Sequence, residues 1–384
     1  MISMSKNKPI LVIGAGISGC TIAERYANIL GKKVLIIEER ENIGGNCFDY
    51  FNKDGILVPK YGPHFFHTND EDVWNYLSNF IEWKPYEHRV LSFVEGKMVP
   101  IPVNIDTINK IFNAKLSNSR EAKAWLKKNV EVINRPKNSE EAAVSRVGRI
   151  LYEKMFKNYT KKQWNMLPSE LDPEIMNRIP VRTNFDDRYF TDKYQAMPEG
   201  GYSKLFENML SNKRIIKKFN FNFFDSDINL KNYEKIFFTG PIDKFFNYSQ
   251  GKLQYRSLKF IHTTLKKCFF QERAQINYPG NQKFTRITEP KHATGQKSKK
   301  TTIIKEYPTW VGSPFYPVIN KNNLSKYEKY AKKAAELRKD GIYLVGRLAE
   351  YRYLNMDDAF KNALNLFNRL NKKQLKTNQE HVLQ

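Results

Sequence analysis

Between Pro9 and Asn46 the chain reads PILVIGAGISGCTIAERYANILGKKVLIIEERENIGGN, and one local structure accounts for all of it. The apolar run Ile10-Leu11-Val12-Ile13 is long enough for a buried strand, and Gly14-Ala15-Gly16-Ile17-Ser18-Gly19 follows at once. Thr21 to Leu30 reads as a helix, and a second apolar run, Val34 to Ile37, ends in Glu38. This is a βαβ unit with the dinucleotide fingerprint in its first turn. Gly14 permits the tight turn, Gly16 lets backbone approach a pyrophosphate, and Gly19 lets the helix pack on the strand. The pyrophosphate would meet free N–H groups and the positive end of the helix. Glu38 stands where a carboxylate accepts from a ribose hydroxyl. The pattern alone leaves FAD and NAD open. Gly44-Gly45-Asn46 shifts the balance to FAD, because a second glycine turn brings backbone close to the same pyrophosphate.

A chain of 384 residues buries a sizeable core and has room for two or three domains. No apolar run approaches the roughly 20 residues of a membrane helix. The opening MISMSKNK lacks the apolar segment of a secretory signal. Cys20, Cys47 and Cys268 show no metal spacing, so no metal is expected, and free thiols fit a cytoplasmic location. Net charge is +24, from 64 Lys plus Arg against 40 Asp plus Glu. Nucleic acid, an anionic membrane surface and an anionic small substrate compete as explanations. The charge is spread along the chain, and its densest run is Gln296 to Lys305, QKSKKTTIIK. Most of the lysines therefore read as solvated surface, and no nucleic acid partner is expected.

Further along, Phe48–Tyr50 with Gly55–Val58 suggests a hairpin, and Asp70 to Phe80 an amphipathic helix. His64 and His67 stand three apart, but no carboxylate pattern completes a metal site. His88–Val94 and Met98–Pro102 read as a second hairpin around Glu95-Gly96-Lys97. Helices are expected over Ile105–Ala114, Ser119–Asn129 and Ser139–Phe156, the last capped by Ser139. Pro180–Arg182, Tyr189-Phe190 and Tyr194-Gln195 look like short strands. A helix runs from Gly200-Gly201 to about Leu210, and strands over Ile215–Phe224 and Lys235–Phe238. Leu258–Thr264, Ala274–Tyr278, Thr285–Thr288 and Thr301–Glu306 alternate like an antiparallel sheet. Gly341–Arg347 reads as a last Rossmann strand and Asp357–Leu370 as a closing helix, with a polar tail from Lys372.

The fold class expected is α/β: a Rossmann-type FAD-binding domain with an inserted helical domain and an antiparallel β-sheet domain. The first comprises 1–80, 200–250 and 335–371, and the second 104–170. The third comprises 81–103, 171–199 and 251–334, and 372–384 is the tail.

Long motifs rich in Tyr, Trp and Arg occur in order: YGPHFFHTND, YTKKQW, NRIPVR, TGPID, QYRSLKF, IKEYP, YPV and GRLAEYRYLNM. On these the chain resembles the bacterial UDP-galactopyranose mutases from about Pro9 to Leu370. The resemblance implies an FAD enzyme that interconverts UDP-galactopyranose and UDP-galactofuranose. In that family N5 of the reduced flavin attacks the anomeric carbon, and NADH or NADPH is the expected reductant. Arg178 and Arg286 match the family's diphosphate-clamping arginines, and a guanidinium can bind phosphate oxygens bidentately while keeping its charge. Tyr189, Tyr316 and Tyr353 match the tyrosines that complete the clamp. Phe156, Tyr159, Thr160 and Trp164 match the segment that holds the uridine and lines the sugar path. The cofactor set, Gly14, Gly16, Gly19, Glu38, Gly45 and Asn46, is extended by His64, Phe65, Arg347, Met356 and Asp357. The expected partners are a UDP- or dTDP-hexose and a second copy of the chain as a homodimer, with no membrane span.

The sequence departs from the family pattern twice. Asn355 stands where the family usually has Asp, and His88 where many members have Asn. Both positions are expected beside the substrate, so a paralogue acting on dTDP-fucose or UDP-N-acetylgalactosamine stays open. So does a flavin amine oxidase-like oxidoreductase on the same fold, since fold does not fix function.

Overall fold

A computed structural model of the protein describes residues 8–375. The opening strand Ile10–Ile13 pairs in parallel with Val34–Ile37 on one side and Lys235–Phe238 on the other. Ile215–Lys218 extends the sheet beyond the first neighbour and Ile342–Leu344 beyond the second, again in parallel. A parallel sheet covered on both faces needs apolar residues at successive positions, and Ile10, Leu11 and Val12 are all fully buried. One face carries the helices Ile17–Asn28, Tyr202–Met209 and Met356–Leu370, with Tyr26 set edge-on to Phe367 at 5.1 Å. The other face is covered by turns that bring Phe221, Phe223 and Phe245 against Leu11, Ile236 and Phe238.

The expected strand over Ile215–Phe224 stops at Lys218. Its ladder partner, Val34–Ile37, is four residues long, and Asn220 turns the chain with φ of +52°. Phe221 N–H then donates to Glu38 O at 2.9 Å, which brings Phe223 and Phe224 against Phe238.

A seven-stranded sheet follows the order Tyr316–Pro317, Tyr255–Leu265, Thr301–Thr309, Arg286–Thr288, Gln275–Asn277, Val90–Val94, Lys97–Ile101. All its pairs are antiparallel except Gln275–Asn277 against Val90–Val94. Those two strands are far apart in sequence, so no tight turn dictates their direction. A third, small sheet sets Tyr194–Pro198 between Phe66–Thr68 and Trp83–Pro85. The expected strands at Pro180–Arg182 and Tyr189-Phe190 reduce to single bridges, Val103 with Val181 and Arg89 with Arg188. The Arg182 guanidinium explains why: it donates to the carbonyls of Asp186 and Arg188, taking the place of a strand partner.

The inserted helices Ile105–Phe112, Ser119–Asn129 and Ser139–Val147 are capped by Asn104, Asn118 and Asn138. The cap of the third is therefore Asn138 and not Ser139, whose hydroxyl donates to Asp172 O instead. The helix expected to run to Phe156 breaks at Gly148, where φ is +84° and a Cβ would sit 2.3 Å from Asn129 O. The chain resumes as Arg149–Leu151, widens into a π-type turn over Tyr152–Lys157, and ends in the helix Asn158–Trp164.

Of the helices without a counterpart in the expectation, the longest is Lys321–Glu336. It lies largely within the span read as sheet, and its lysine-rich sequence hides the buried Tyr330, which packs on Phe246 at 5.8 Å. Residues 372–375 add a helical turn, and the rest of the expected tail, 376–384, lies outside the described residues.

Asp49 joins the hairpin Asp49–Phe51/Leu57–Pro59 to the helix Tyr202–Met209 by accepting from Tyr202 N and Ser203 N, each at 2.8 Å. Asp49→Ala leaves two buried N–H groups unpaired and should destabilise the flavin-free protein by about 2–3 kcal/mol. Urea unfolding measures it, and a loss within experimental error would show that the junction relies on packing alone.

Candidate active site

The carboxyl ends of the parallel strands open into a cavity of about 670 Å³. Gly14, Gly16, Glu38, Gly45 and Asn46 line it, as do His64, Arg347, Asn355 and Met356. Gly19 sits behind them, where a Cβ would lie 1.9 Å from Gly14 O, so helix and strand meet backbone to backbone. Gly14 has φ of +102°, and a Cβ there would lie 2.1 Å from Thr239 Oγ1. The two glycine turns touch each other: Gly44 N–H donates to Ala15 O at 2.8 Å, and a Cβ on Gly45 would fall 2.9 Å from Gly16 Cα. Glu38 accepts from Ala15 N at 2.7 Å and from Arg40 N at 3.0 Å, which fixes its carboxylate at the rim. Burial holds its pKa above the usual carboxylate value. A dinucleotide's pyrophosphate fits this cradle of small residues and helix N–H groups.

The amino end of the closing helix Met356–Leu370 also faces the cavity through Asn355, Met356 and Ala359. Asn355 N–H donates to Asp358 Oδ2 at 3.1 Å, so Asn355 works as the helix cap. Asp357 is not on the cavity wall; burial raises its pKa, and Thr68 donates to its carboxylate.

Arg178, Arg286, Tyr159, Tyr189, Tyr316 and Tyr353 come from four separate parts of the chain and meet in one cluster beside the cavity. The Arg178 guanidinium lies 3.8 Å over the Tyr353 ring, and Tyr353 stacks on Tyr316 at 5.8 Å. Arg347 joins cluster and cavity, lying 5.2 Å from the Tyr353 ring and 5.5 Å from that of Tyr316. Burial raises the Tyr353 hydroxyl, but Arg178 and Arg347 outweigh it and leave its pKa below the ordinary tyrosine value. Trp164 packs against Tyr316 at 6.4 Å. Thr160 is buried on the same helix, whereas Phe156 lies in the core of the helical insert with Tyr152 and Met155.

Beside this cluster His88 stacks on Phe65 at 3.8 Å, lies edge-on to Tyr189 at 5.8 Å, and shares a hydrogen bond of 3.0 Å between Nδ1 and the Tyr86 hydroxyl. Burial, then the positive charge of Arg286, pushes its pKa down to about 3. His64, with Nδ1 3.1 Å from Gly62 O, is pushed down to about 4 by burial and by Arg347. Both imidazoles are thus neutral around pH 7 and act as hydrogen-bonding and stacking groups.

Glu306 was not singled out by the sequence reading, yet it sets the charge of the cluster. Its Oε2 accepts from both Nε and Nη2 of Arg286 at 2.8 Å, while Oε1 is buried without a partner. Burial works against the Arg286 cation, but Glu306 together with Tyr159 and Tyr316 outweighs it and holds its pKa well above the usual value. Arg286 and Glu306 are opposite residues of adjacent strands, a register that no local sequence pattern reveals. Lys162 is another such residue. Its ammonium donates to the carbonyls of Tyr278, Gly280, Gln282 and Phe284, tying the helix of Tyr159 to the segment that leads into Arg286. Burial lowers its pKa to about 8.

Residues 154–353 match the family model described as UDP-galactopyranose mutase, and residues 12–80 that of an NAD(P)-binding Rossmann-like domain. The chain is 40% identical to a probable UDP-galactopyranose mutase of Klebsiella pneumoniae, covering 93% of each chain. It is 39% identical to the dTDP-fucopyranose mutase of Escherichia coli, covering 92% of this chain and 96% of that one. A crystal structure of a reduced UDP-galactopyranose mutase superimposes with a TM-score of 0.75 at 16% identity, covering 95% of both chains. The chain therefore belongs to the UDP-galactopyranose mutase family, as a nucleotide-sugar pyranose–furanose mutase built on an FAD-binding Rossmann-type domain.

Proposed function

We propose that this mutase interconverts the pyranose and furanose forms of UDP-galactose with reduced FAD in the cavity. The charge of the cluster beside the cavity carries the reading. Of its three guanidiniums, that of Arg286 is paired with the carboxylate of Glu306, while those of Arg178 and Arg347 lie over the Tyr353 ring with no carboxylate partner among the described residues, which leaves two positive charges uncompensated. A sugar nucleotide's diphosphate brings two negative charges. Reduced FAD, when bound, supplies a nucleophilic N5 for the anomeric carbon. The chain's own residues do the rest by placement and electrostatics. Arg178 and Arg286 take up the charge of the departing nucleoside diphosphate and keep it near for return. The hydroxyls of Tyr159, Tyr189, Tyr316 and Tyr353 donate to its oxygens. Trp164 and Tyr159 offer flat faces to the base, and neutral His64 and His88 border the sugar without adding charge. On the family likeness the proposal extends to a homodimer, a cytoplasmic location and NADH or NADPH as reductant.

The similar identities to the Klebsiella and Escherichia enzymes support a second reading, in which the sugar nucleotide is dTDP-fucose. That sugar lacks the 6-hydroxyl, and its thymine adds a methyl to the base.

Purified protein should be yellow and release about one FAD per chain on denaturation, and Gly14→Val should abolish this, because the turn has no room for a side chain. Dithionite-reduced holoprotein given UDP-galactofuranose should yield UDP-galactopyranose on chromatography. A flavin-loaded, reduced preparation that leaves this sugar untouched would sink the UDP-galactose reading.

Arg178→Ala and Arg286→Ala should each cost about 2–4 kcal/mol of transition-state stabilisation, on the order of 30- to 1000-fold in kcat/KM. Arg286→Ala leaves Glu306 buried and unpaired beside a diphosphate, so Glu306→Gln added to it should recover part of the loss. If the double variant is no better than the single, Glu306 does not act through charge.

Asn355→Asp preserves a good helix cap, so fold and flavin content should survive. If Asn355 helps choose the sugar, the ratio of kcat/KM between UDP-galactose and dTDP-fucose should change more than about threefold, roughly 0.7 kcal/mol. An unchanged ratio would leave Asn355 with the cap alone.

A further inference from the structure

The densest run of lysines, within Gln296–Lys305, takes no part in the site, and the fold gives it specific neighbours. Leu265 ends one long strand opposite Thr301, which begins the next. Lys266-Lys267 and Lys299-Lys300 therefore flank the same end of the sheet, and Phe269-Phe270 follows the first pair after Cys268. The two segments are pinned together. Lys291 Nζ donates to Ser298 O at 2.8 Å and Lys300 O at 3.0 Å while lying 4.4 Å over the Phe269 ring. Buried Glu289 accepts from Phe270 N and Gln271 N, which holds the aromatic turn in place. The loop after Phe51 joins the same end, with Asn52 Nδ2 donating to Thr302 Oγ1 at 3.0 Å and Asp54 paired to Lys300.

Three phenyl rings thus stay in water at one end of the molecule: Phe51 is 57% exposed, Phe269 49% and Phe270 41%. Lys53, Lys266, Lys267, Lys297 and Lys299 are exposed around them. Of the acids in these segments, Asp54 is paired to Lys300 and Glu272 sits beside exposed Arg273. Exposed apolar rings ringed by cations on an outer turn suit the boundary of an anionic bilayer, with the phenyls at the acyl edge and the ammoniums among phosphates. An acidic protein would satisfy the lysines and leave the rings wet. A single-stranded nucleic acid needs such rings to line a groove that tracks its backbone, and these sit on outer turns.

We propose that this end of the seven-stranded sheet is a peripheral docking surface for an anionic lipid bilayer. Arg256, at the opposite end of the same strand, lies against the helix of Tyr159 and Trp164 through Gln163 O at 2.9 Å. Nine residues of strand at about 3.3 Å each put the lipid-facing end roughly 30 Å from there. Docking by this end leaves the cavity free to exchange its ligands with water.

The test is co-sedimentation of the flavin-loaded protein with vesicles of phosphatidylcholine alone, or with roughly one third phosphatidylglycerol. The expected result is binding to the anionic vesicles only, weakened by salt. Phe269→Ser/Phe270→Ser and Lys266→Glu/Lys267→Glu should each lower partitioning about tenfold or more, with flavin content and mutase rate unchanged. Lys329→Glu/Lys332→Glu, the same charge change on the exposed face of the helix Lys321–Glu336, should bind as the parent does. Failure of the parent to bind anionic vesicles overturns the proposal. So does an equal loss in both charge-reversed pairs, which would reduce the effect to net charge. Loss of self-association by Phe269→Ser/Phe270→Ser, with vesicle binding intact, assigns the rings to a second copy of the chain and overturns it too.

Discussion

Two glycine turns, Gly14–Gly19 and Gly44-Gly45, lie against each other with no side chain between them, and the nucleotide half of the molecule depends on that contact. A Cβ on Gly45 has no place beside Gly16, and one on Gly19 none beside Gly14. Because the backbones close in, the first helix packs directly on the sheet, Glu38 reaches Ala15, and the chain after Glu38 turns back against Gly16. Helix N–H groups and backbone then border the cavity where bulky side chains would otherwise fill it. The closing helix adds a second amino end from the far end of the chain.

The neighbouring cluster follows a different logic. Its arginines are gathered by tertiary contacts from separate parts of the chain, and holding several cations together is costly unless something balances them. Glu306 balances one, and the faces of Tyr316 and Tyr353 stabilise the other two. The desolvation that works against the Arg286 cation also strengthens its attraction for an anion entering from water.

What the sequence revealed divides along the same line. The βαβ unit, the hairpins and the alternating strands are local patterns, and they appear where expected because period and turn chemistry suffice to specify them. The misses are non-local. Gly148 ends a helix because Asn129 O lies against it, and Arg182 keeps its neighbours out of a sheet by binding their carbonyls. Asn138, one residue before the expected Ser139, takes the cap because Ser139 is engaged by Asp172. The helix Lys321–Glu336 buries a thin stripe, Tyr327, Tyr330 and Ala334, set among lysines, which is easily passed over. In the site, Arg178, Arg347, Tyr159, Tyr316 and Tyr353 fall within the long motifs, and so does Glu306 in IKEYP, but its pairing with Arg286 is set by a cross-strand register. Phe156 kept the segment expected of it but lies in the helical core.

Arg347 belongs to both halves: it borders the cavity, and its guanidinium lies over the two stacked tyrosines of the cluster. A ligand in either place therefore meets a group whose position and charge the other also sets. Any free energy that one occupant gains by repositioning this guanidinium must reappear in the affinity for the other, and by the same factor in both directions. On the proposed function, filling of the cavity and binding at the cluster form a single coupled equilibrium, so a change at Arg347 alters the order and the tightness of both.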